Sequence, residues 1–161
     1  MLPYVLILLA FAADRLSKQW AATYLAENGP TQVHSLLTLY PTYNQGIAFG
    51  LLQGIGPLVG WLSIVIVIGL FLYLVRVPRS QWLLRIGLAL IIGGAMGNLL
   101  DRVTAGQVLD FIQTPIRPGI FNVADILINV GVVFSLLGAL LQKGDPEIGQ
   151  QALEVEEQAK P

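Results

Sequence analysis

Cysteine is absent from this 161-residue chain, and histidine occurs once, as His34. These absences exclude a disulfide framework, a thiol nucleophile and a Cys/His zinc site. Charge is also scarce, because Asp, Glu, Lys and Arg make up 12% of the residues, whereas a soluble domain averages about 25%. The net charge of -1 provides no basic surface for phosphates, which argues against a nucleic-acid-binding protein.

Apolar residues make up 55% of the chain and fall into four runs. A helix that crosses a bilayer needs about 20 predominantly apolar residues. The runs cover residues 2–25, 57–75, 82–100 and 121–141, and the second contains no charge. The sequence therefore predicts an all-α membrane protein with four transmembrane helices in a single membrane-embedded domain, residues 1–143.

The first run is interrupted by Asp14, Arg15 and Lys18. Asp14 and Lys18 are four residues apart and can pair on a helix, which lowers the cost of burying them. We interpret this pair as a clamp to another helix. The alternative is a cleaved secretory signal peptide ending at "AFAAD", but no Lys or Arg precedes the apolar run, which favours a retained helix.

Positive charges near the ends of the runs predict the orientation. They lie between the second and third runs and after the fourth, at Arg76, Arg79, Arg85 and Lys143. Residues 28–56 contain no charged residue, so both termini are expected in the cytoplasm. Residues 144–161 are polar and mostly acidic, and we expect a flexible cytoplasmic tail there.

The segment between the first two runs is apolar without a helical period. Residues 31–53, "TQVHSLLTLYPTYNQGIAFGLLQ", alternate β-branched, aromatic and small residues around Pro41 and Gly46. This pattern predicts a small sheet at the outer membrane surface. Asn44 beside Gly46 is either an ordinary turn or backbone placed close to a substrate.

Polar residues gather at one end of the last two runs. In "GGAMGNLLDR", helical spacing is expected to place Asn98, Asp101 and Arg102 on one face. We interpret Asp101 and Arg102 as a local ion pair, and the glycines as close helix packing. The fourth run begins "FNVADILINV", in which Asn122, Asp125 and Asn129 form one stripe that faces protein or water.

A second carboxylate, Asp110, lies between Leu109 and Phe111 in the connection before the fourth run. Asp125 follows Asp110 by fifteen positions, and the intervening Pro/Gly-rich turn allows them to meet. Two carboxylates that share a site hold one proton between them and offer a general acid and a general base for peptide hydrolysis. From spacing alone, the alternatives stay open: Asp110 as a turn or capping residue, and Asp125 as a charge favoured at a helix N-terminus.

Other functions fit the residues less well. A Ser/His arrangement has only His34 available, in the outer loop. A transporter or channel subunit would line an ion path with Asn98, Asp125 and Asn129. Such a path needs polar groups through the whole membrane, whereas after Asn129 the fourth run has only Ser135. A purely structural subunit leaves the aspartate pair unexplained.

Five motifs together resemble a known family, the prolipoprotein signal peptidases, or signal peptidase II. They are "DRLSK" (14–18), "NQGIAFG" (44–50), "GGAMGNLLDR" (93–102), "VLDF" (108–111) and "FNVAD" (121–125), in the family's order. The resemblance implies a bacterial inner-membrane aspartic endopeptidase with both termini cytoplasmic. It also implies an extracytoplasmic β-cradle and a short surface helix between the first two transmembrane helices.

The resemblance also implies a reaction and its residues. Such enzymes remove the signal peptide from prolipoproteins just before a cysteine that carries diacylglyceryl, use no metal or cofactor, work among membrane lipids, and are inhibited by globomycin. We expect a monomer. By motif, Asp110 and Asp125 look like the catalytic aspartates. The expected supporting residues are Asn44, Asn98, Arg102 and Asn122 for positioning, and Asp14, Lys18 and Asp101 for structure.

Overall fold

The computed structural model describes residues 1–45 and 56–142 of the chain. Its elements are four helices and four strands: α1 Leu2–Asn28, β1 Thr31–His34, β2 Leu37–Asn44, α2 Gly56–Arg76, α3 Trp82–Ala105, β3 Val108–Gln113, β4 Ile120–Phe121 and α4 Val123–Gln142. The predicted tail, 144–161, lies outside the described residues. Of the connection that was expected to hold a surface helix, residues 29–45 carry only β1 and β2, and residues 46–55 lie outside the description.

The four helices agree with the four apolar runs. By length and composition, Trp82–Ala105 and Val123–Leu141 are long and apolar enough to cross a membrane. α3 continues one turn beyond its apolar run and ends at Gly106, whose φ of 71° is left-handed, a common helix C-terminus. Large apolar side chains cover the outside of the helices, including Leu8, Trp61, Val65, Leu136 and Leu140.

The sheet is larger than predicted, because the connection between α3 and α4 forms β3 and β4 rather than only a turn. All neighbouring strands are antiparallel, in the order β1-β2-β3-β4. Thr42 pairs with Asp110 and Asn44 with Val108. The register shifts between Leu39 and Thr42, where Pro41 has no N–H for the ladder. The β2–β3 pairing therefore sets Asn44 beside Asp110.

Glycines let α1 and α4 approach α3 closely, as predicted. A Cβ on Gly93 would lie 2.6 Å from Ala10 Cβ of α1, and one on Gly94 would lie 2.8 Å from the Ala124 carbonyl of α4. At Gly97 it would lie 2.1 Å from Asp14 Oδ2. The backbones therefore come near enough for polar side chains of α1 and α3, and the first turn of α4, to meet.

Two apolar clusters stabilise the fold. One joins α1, α2 and α3 and includes Ile7, Leu74 and Ile92. The other joins the C-terminal end of α1 to the sheet and includes Ala21, Leu39 and Phe111. Along α1, the buried residues Asp14 and Lys18 lie between Ile7 and Ala21.

Candidate active site

The two aspartates meet at Asn122. The Asn122 side-chain amide donates to Asp110 Oδ1 over 2.6 Å, and its backbone N–H donates to Asp125 Oδ2 over 3.2 Å. Asn122 is completely buried and Asp110 is 4% exposed, whereas Asp125 is half-buried. Both aspartates line one cavity.

Asp125 is held by the start of α4. Asn122 directly precedes the helix, and its Oδ1 accepts the Asp125 backbone N–H over 3.0 Å while Asp125 Oδ2 accepts the Asn122 N–H. This reciprocal pair resembles a capping box, with Asp at the third helical position. The same contacts therefore begin the helix and orient the carboxylate, so the helix-terminus interpretation of Asp125 and the paired-carboxylate interpretation both apply.

Asp110 is held from the sheet side. Its Oδ2 accepts the Asn44 amide over 3.1 Å, and its Oδ1 accepts the Asn122 amide. Burial raises the pKa of Asp110 to about 6, the nearby charge of Asp125 acts in the same direction, and the hydrogen bonds from Asn44 and Asn122 oppose them. Asp110 therefore holds a proton more readily than an ordinary carboxyl.

Asn98 connects the aspartates to α1. Its Nδ2 donates to Asp125 Oδ1 over 3.1 Å. Its Oδ1 accepts Lys18 Nζ over 2.7 Å and Asn122 Nδ2 over 3.2 Å. Four of the predicted site residues, Asn44, Asn98, Asn122 and Lys18, thus belong to one network with the aspartates.

Asp14 and Lys18 form the predicted pair, at 2.9 Å. Asp14 Oδ1 also accepts the Ala124 N–H of α4 over 3.0 Å, so α1 is clamped to another helix as expected. We expected Asp101 to pair locally with Arg102. Its carboxylate instead forms ion pairs with two residues of α1, Lys18 at 2.7 Å and Arg15. Sequence reasoning gave Arg15 no partner.

The cavity has a volume of about 720 Å³. Asn98 and Arg102 line it, whereas Asp101 is turned towards α1. Neighbouring residues on a helix are about 100° apart, which places Asp101 and Arg102 on opposite sides of Asn98. The lining also includes residues not singled out from the sequence: Thr42, Tyr43, Val108, Arg117 to Ile120 and Ile128.

Arg117 is the charged residue of the cavity lining that the sequence did not indicate as part of the site. It belongs to the connection between β3 and β4, and its guanidinium lies 4.4 Å from the centroid of the Phe121 ring. Asn129, the last member of the predicted stripe, also lines the cavity and donates to the Asp125 carbonyl over 2.7 Å.

Comparisons with known proteins agree with the motifs. The family model described as "Signal peptidase (SPase) II" matches residues 6–141. The lipoprotein signal peptidase of Thermosynechococcus vestitus is 37% identical over 136 residues, 81% of this chain and 86% of that protein. The one from Shouchella clausii is 38% identical over 145 residues, 86% and 93% respectively.

A solved structure also matches the fold. It is described as a bacterial membrane enzyme, and it superposes with a TM-score of 0.77 at 25% identity, covering 88% of this chain and 89% of that one. The matching family model covers most of the chain, including both aspartates and every residue of the network around them. The chain therefore belongs to the signal peptidase II family of membrane proteases.

Proposed function

We propose that this protein is an aspartic endopeptidase that removes the signal peptide from diacylglyceryl-modified prolipoproteins, cleaving just before the lipidated cysteine. The observation that carries the proposal is that Asn122 binds Asp110 and Asp125 at once, in a cavity that both aspartates line. Family membership supports the substrate class. The apolar exterior of the helices suits a substrate that carries acyl chains.

The hydrogen bonds suggest how the two aspartates divide the work. Both oxygens of Asp125 accept an N–H, from Asn98 and from the Asn122 backbone, at a helix N-terminus that favours negative charge. Asp110 accepts two amides as well, but burial and the charge of Asp125 still raise its pKa to about 6. Asp125 is therefore the general base of the resting enzyme, and Asp110 is the general acid.

The reaction then follows in two balanced steps. Asp125 takes a proton from water as the water oxygen attacks the scissile carbonyl carbon, and Asp110 gives its proton to the carbonyl oxygen. In the second step, Asp125 returns its proton to the leaving nitrogen as the C–N bond breaks. Asp110 recovers a proton from a hydroxyl of the intermediate, which leaves a carboxylic acid product and the starting enzyme.

The directions of the helices and the positions of the positive charges support a site on the extracytoplasmic side of the membrane. Gly60 near the start of α2 lies next to Arg102 near the end of α3, and Gly138 near the end of α4 lies next to Leu84 at the start of α3. Consecutive helices therefore run in opposite directions, and the α2–α3 turn, with Arg76, Arg79 and Arg85 near it, lies at the opposite end from the sheet and the aspartates. Under the positive-inside rule, the enzyme has four spans in the bacterial inner membrane, cytoplasmic termini and an active site near the extracytoplasmic surface. We propose one peptidase domain, residues 1–143, acting as a monomer without a metal or cofactor, with residues 144–161 as a cytoplasmic tail.

Cleavage of matched substrates tests this function. Purified protein is incubated with a prolipoprotein whose cysteine carries diacylglyceryl, and with the same chain unmodified. We expect mass spectrometry to find a product that begins at the lipidated cysteine, from the modified substrate only, and expect globomycin to block its formation. No cleavage of the lipidated substrate, or equal cleavage of both, would contradict the proposal, and proton or ion flux in proteoliposomes would then favour a transporter.

A further inference from the structure

Lys18 is an ammonium group enclosed by the protein, with 4% of its surface exposed. Its Nζ lies 2.9 Å from Asp14 Oδ2, 2.7 Å from Asp101 Oδ2 and 2.7 Å from Asn98 Oδ1. Lys18 donates hydrogen bonds to Asp14 and Asn98, and Asp101 is its ion-pair partner. The two carboxylates neutralise its charge, whereas Asn98 is the neutral side chain that contacts Asp125.

The hydrogen bond from Lys18 fixes which way the Asn98 amide points. An amide presents an oxygen that only accepts and a nitrogen that only donates. The Asn98 oxygen receives both Lys18 Nζ and Asn122 Nδ2, so a rotated amide would set its NH₂ against two donors. The amide nitrogen must then face Asp125 Oδ1, which lies 3.1 Å away.

We propose that Lys18 is a positioning residue of this active site: through Asn98, it keeps an amide donor aimed at Asp125 and so holds Asp125 as the acceptor that activates water. This inference rests on the proposed function, and it gives Lys18 a task beyond joining α1 to α3. A clamp needs only Asp14 and Asp101, both of which Lys18 already binds. The bond from Lys18 to Asn98 instead orients the amide that donates to Asp125.

Other charges around the aspartates define the controls. The charged and titratable residues that face the site or its network come from every packed element: Asp14, Arg15 and Lys18 of α1, Tyr43 of β2, Asp101 and Arg102 of α3, Asp110 of β3, Arg117 of the β3–β4 connection, and Asp125 of α4. Arg15 is the matched control, because it also binds Asp101 from α1. Within the part of the chain that the structure describes, Lys18 donates to Asn98, whereas Arg15 pairs with Asp101.

The main variant removes Lys18 together with a charge it neutralises. Lys18→Met alone leaves two buried carboxylates short of a cation, so Lys18→Met is combined with Asp14→Asn, which keeps an oxygen for the Ala124 N–H. We expect kcat on the lipidated prolipoprotein to fall about tenfold or more, with KM changed less than about threefold. The alkaline limb of kcat/KM, which Asp110 sets, should move to higher pH, because the charge of Lys18 lowers the pKa of Asp110. Arg15→Met should keep kcat within about twofold of wild type.

A second variant separates positioning from folding. Asn98→Asp keeps an acceptor for Lys18 but has no N–H for Asp125, so we expect folded protein with a similar loss of kcat. The effect of Asn98→Asp should also be strongly non-additive with the Lys18→Met/Asp14→Asn change, because both interrupt the same chain of bonds.

Two results would overturn the inference. One is a Lys18→Met/Asp14→Asn enzyme whose kcat falls only in proportion to its folded fraction at every pH, and whose pH profile of kcat/KM does not move. The other is a folded Asn98→Asp enzyme with the kcat and pH profile of wild type. If instead Asp110→Asn and Asp125→Asn retain cleavage, the proposed function itself fails, and the two failures are therefore distinguishable.

Discussion

The side-chain amide of Asn122 donates to Asp110 over 2.6 Å from a position with no solvent exposure. The same residue precedes α4 and exchanges backbone and side-chain hydrogen bonds with the first turn of that helix. One asparagine thus couples the start of a helix to a carboxyl group on a neighbouring strand. Different substitutions of Asn122 should therefore separate its contribution to stability from its contribution to catalysis.

Asn122→Ala is expected to remove both functions. Loss of the cap should lower the free energy of unfolding by about 1 kcal/mol, and loss of the amide that orients Asp110 should reduce kcat about 100-fold. Asn122→Ser is the matched control, because a serine hydroxyl can accept the Asp125 N–H but has no amide for Asp110. Serine should restore most of the stability and little of the activity. Recovery of both would contradict this division.

The raised pKa of Asp110 predicts where the activity falls at high pH. The general acid must carry its proton, and the pKa of Asp110 is about 6. The profile of kcat/KM reports the free enzyme, so its alkaline limb should have a midpoint near pH 6. A profile that stays flat from pH 6 to pH 9 would assign the acid role to another group.

The same pKa predicts how stability depends on pH. The pKa of Asp110 rises from 3.8 in the unfolded chain to about 6 in the folded protein. The folded state therefore binds more protons between these values, and stability is lost as the pH rises through this window. Asp110→Asn removes that loss, so its unfolding free energy should exceed that of wild type by up to about 3 kcal/mol above pH 7.

Thermal unfolding of the two proteins in detergent between pH 4 and pH 8 tests this. The advantage of Asp110→Asn should shrink towards pH 4, where the carboxyl is neutral in the folded protein and only partly ionised in the unfolded chain, because pH 4 lies close to the unfolded pKa of 3.8. Glu27→Gln makes the same chemical change at an exposed carboxylate on α1 and is the control for the loss of one negative charge in general. A constant difference between wild type and Asp110→Asn at all pH values would be inconsistent with the raised pKa.

Gly97 is required where α3 passes the buried carboxylate of α1. A Cβ there would lie 2.1 Å from Asp14 Oδ2 and 2.8 Å from its Cγ, and Asp14 is held by Lys18 and Ala124. Gly97→Ala should therefore destabilise by about 2 kcal/mol or more. Gly69→Ala in α2, with open space around it, should instead stabilise by about 0.5–1 kcal/mol. Chemical denaturation of both variants measures the contrast.

The sequence predicted the helices well because composition marks them. The largest difference is at α3, whose apolar run ends at Leu100 although the helix continues to Ala105. Nothing between these residues breaks a helix, and the stop comes from Gly106. The strands β3 and β4 were missed because "VLDFIQ" is short and its first four residues are buried without alternation, so it lacks the period of a half-exposed strand.

The site was predicted by residue type more than by arrangement. Asn122, Asp125 and Asn129 follow from helical spacing, which is local. The meeting of Asp110 with Asp125 depends on β2–β3 pairing and on the buried Asn122 amide, which no spacing within the chain specifies. The partners of Asp101 were missed for the same reason, since Arg15 and Lys18 are more than 80 residues away in sequence.

The proposed mechanism requires both Asp110 and Asp125 for cleavage of the lipidated prolipoprotein. The most direct measurement is the single-turnover cleavage rate of purified wild type, Asp110→Asn, Asp125→Asn and the exposed control Glu27→Gln, each shown to be folded in detergent. Both active-site variants should lose cleavage by about 1,000-fold or more, whereas Glu27→Gln should match wild type. A folded Asp110→Asn or Asp125→Asn enzyme that cleaves at near wild-type rate would contradict the proposed mechanism.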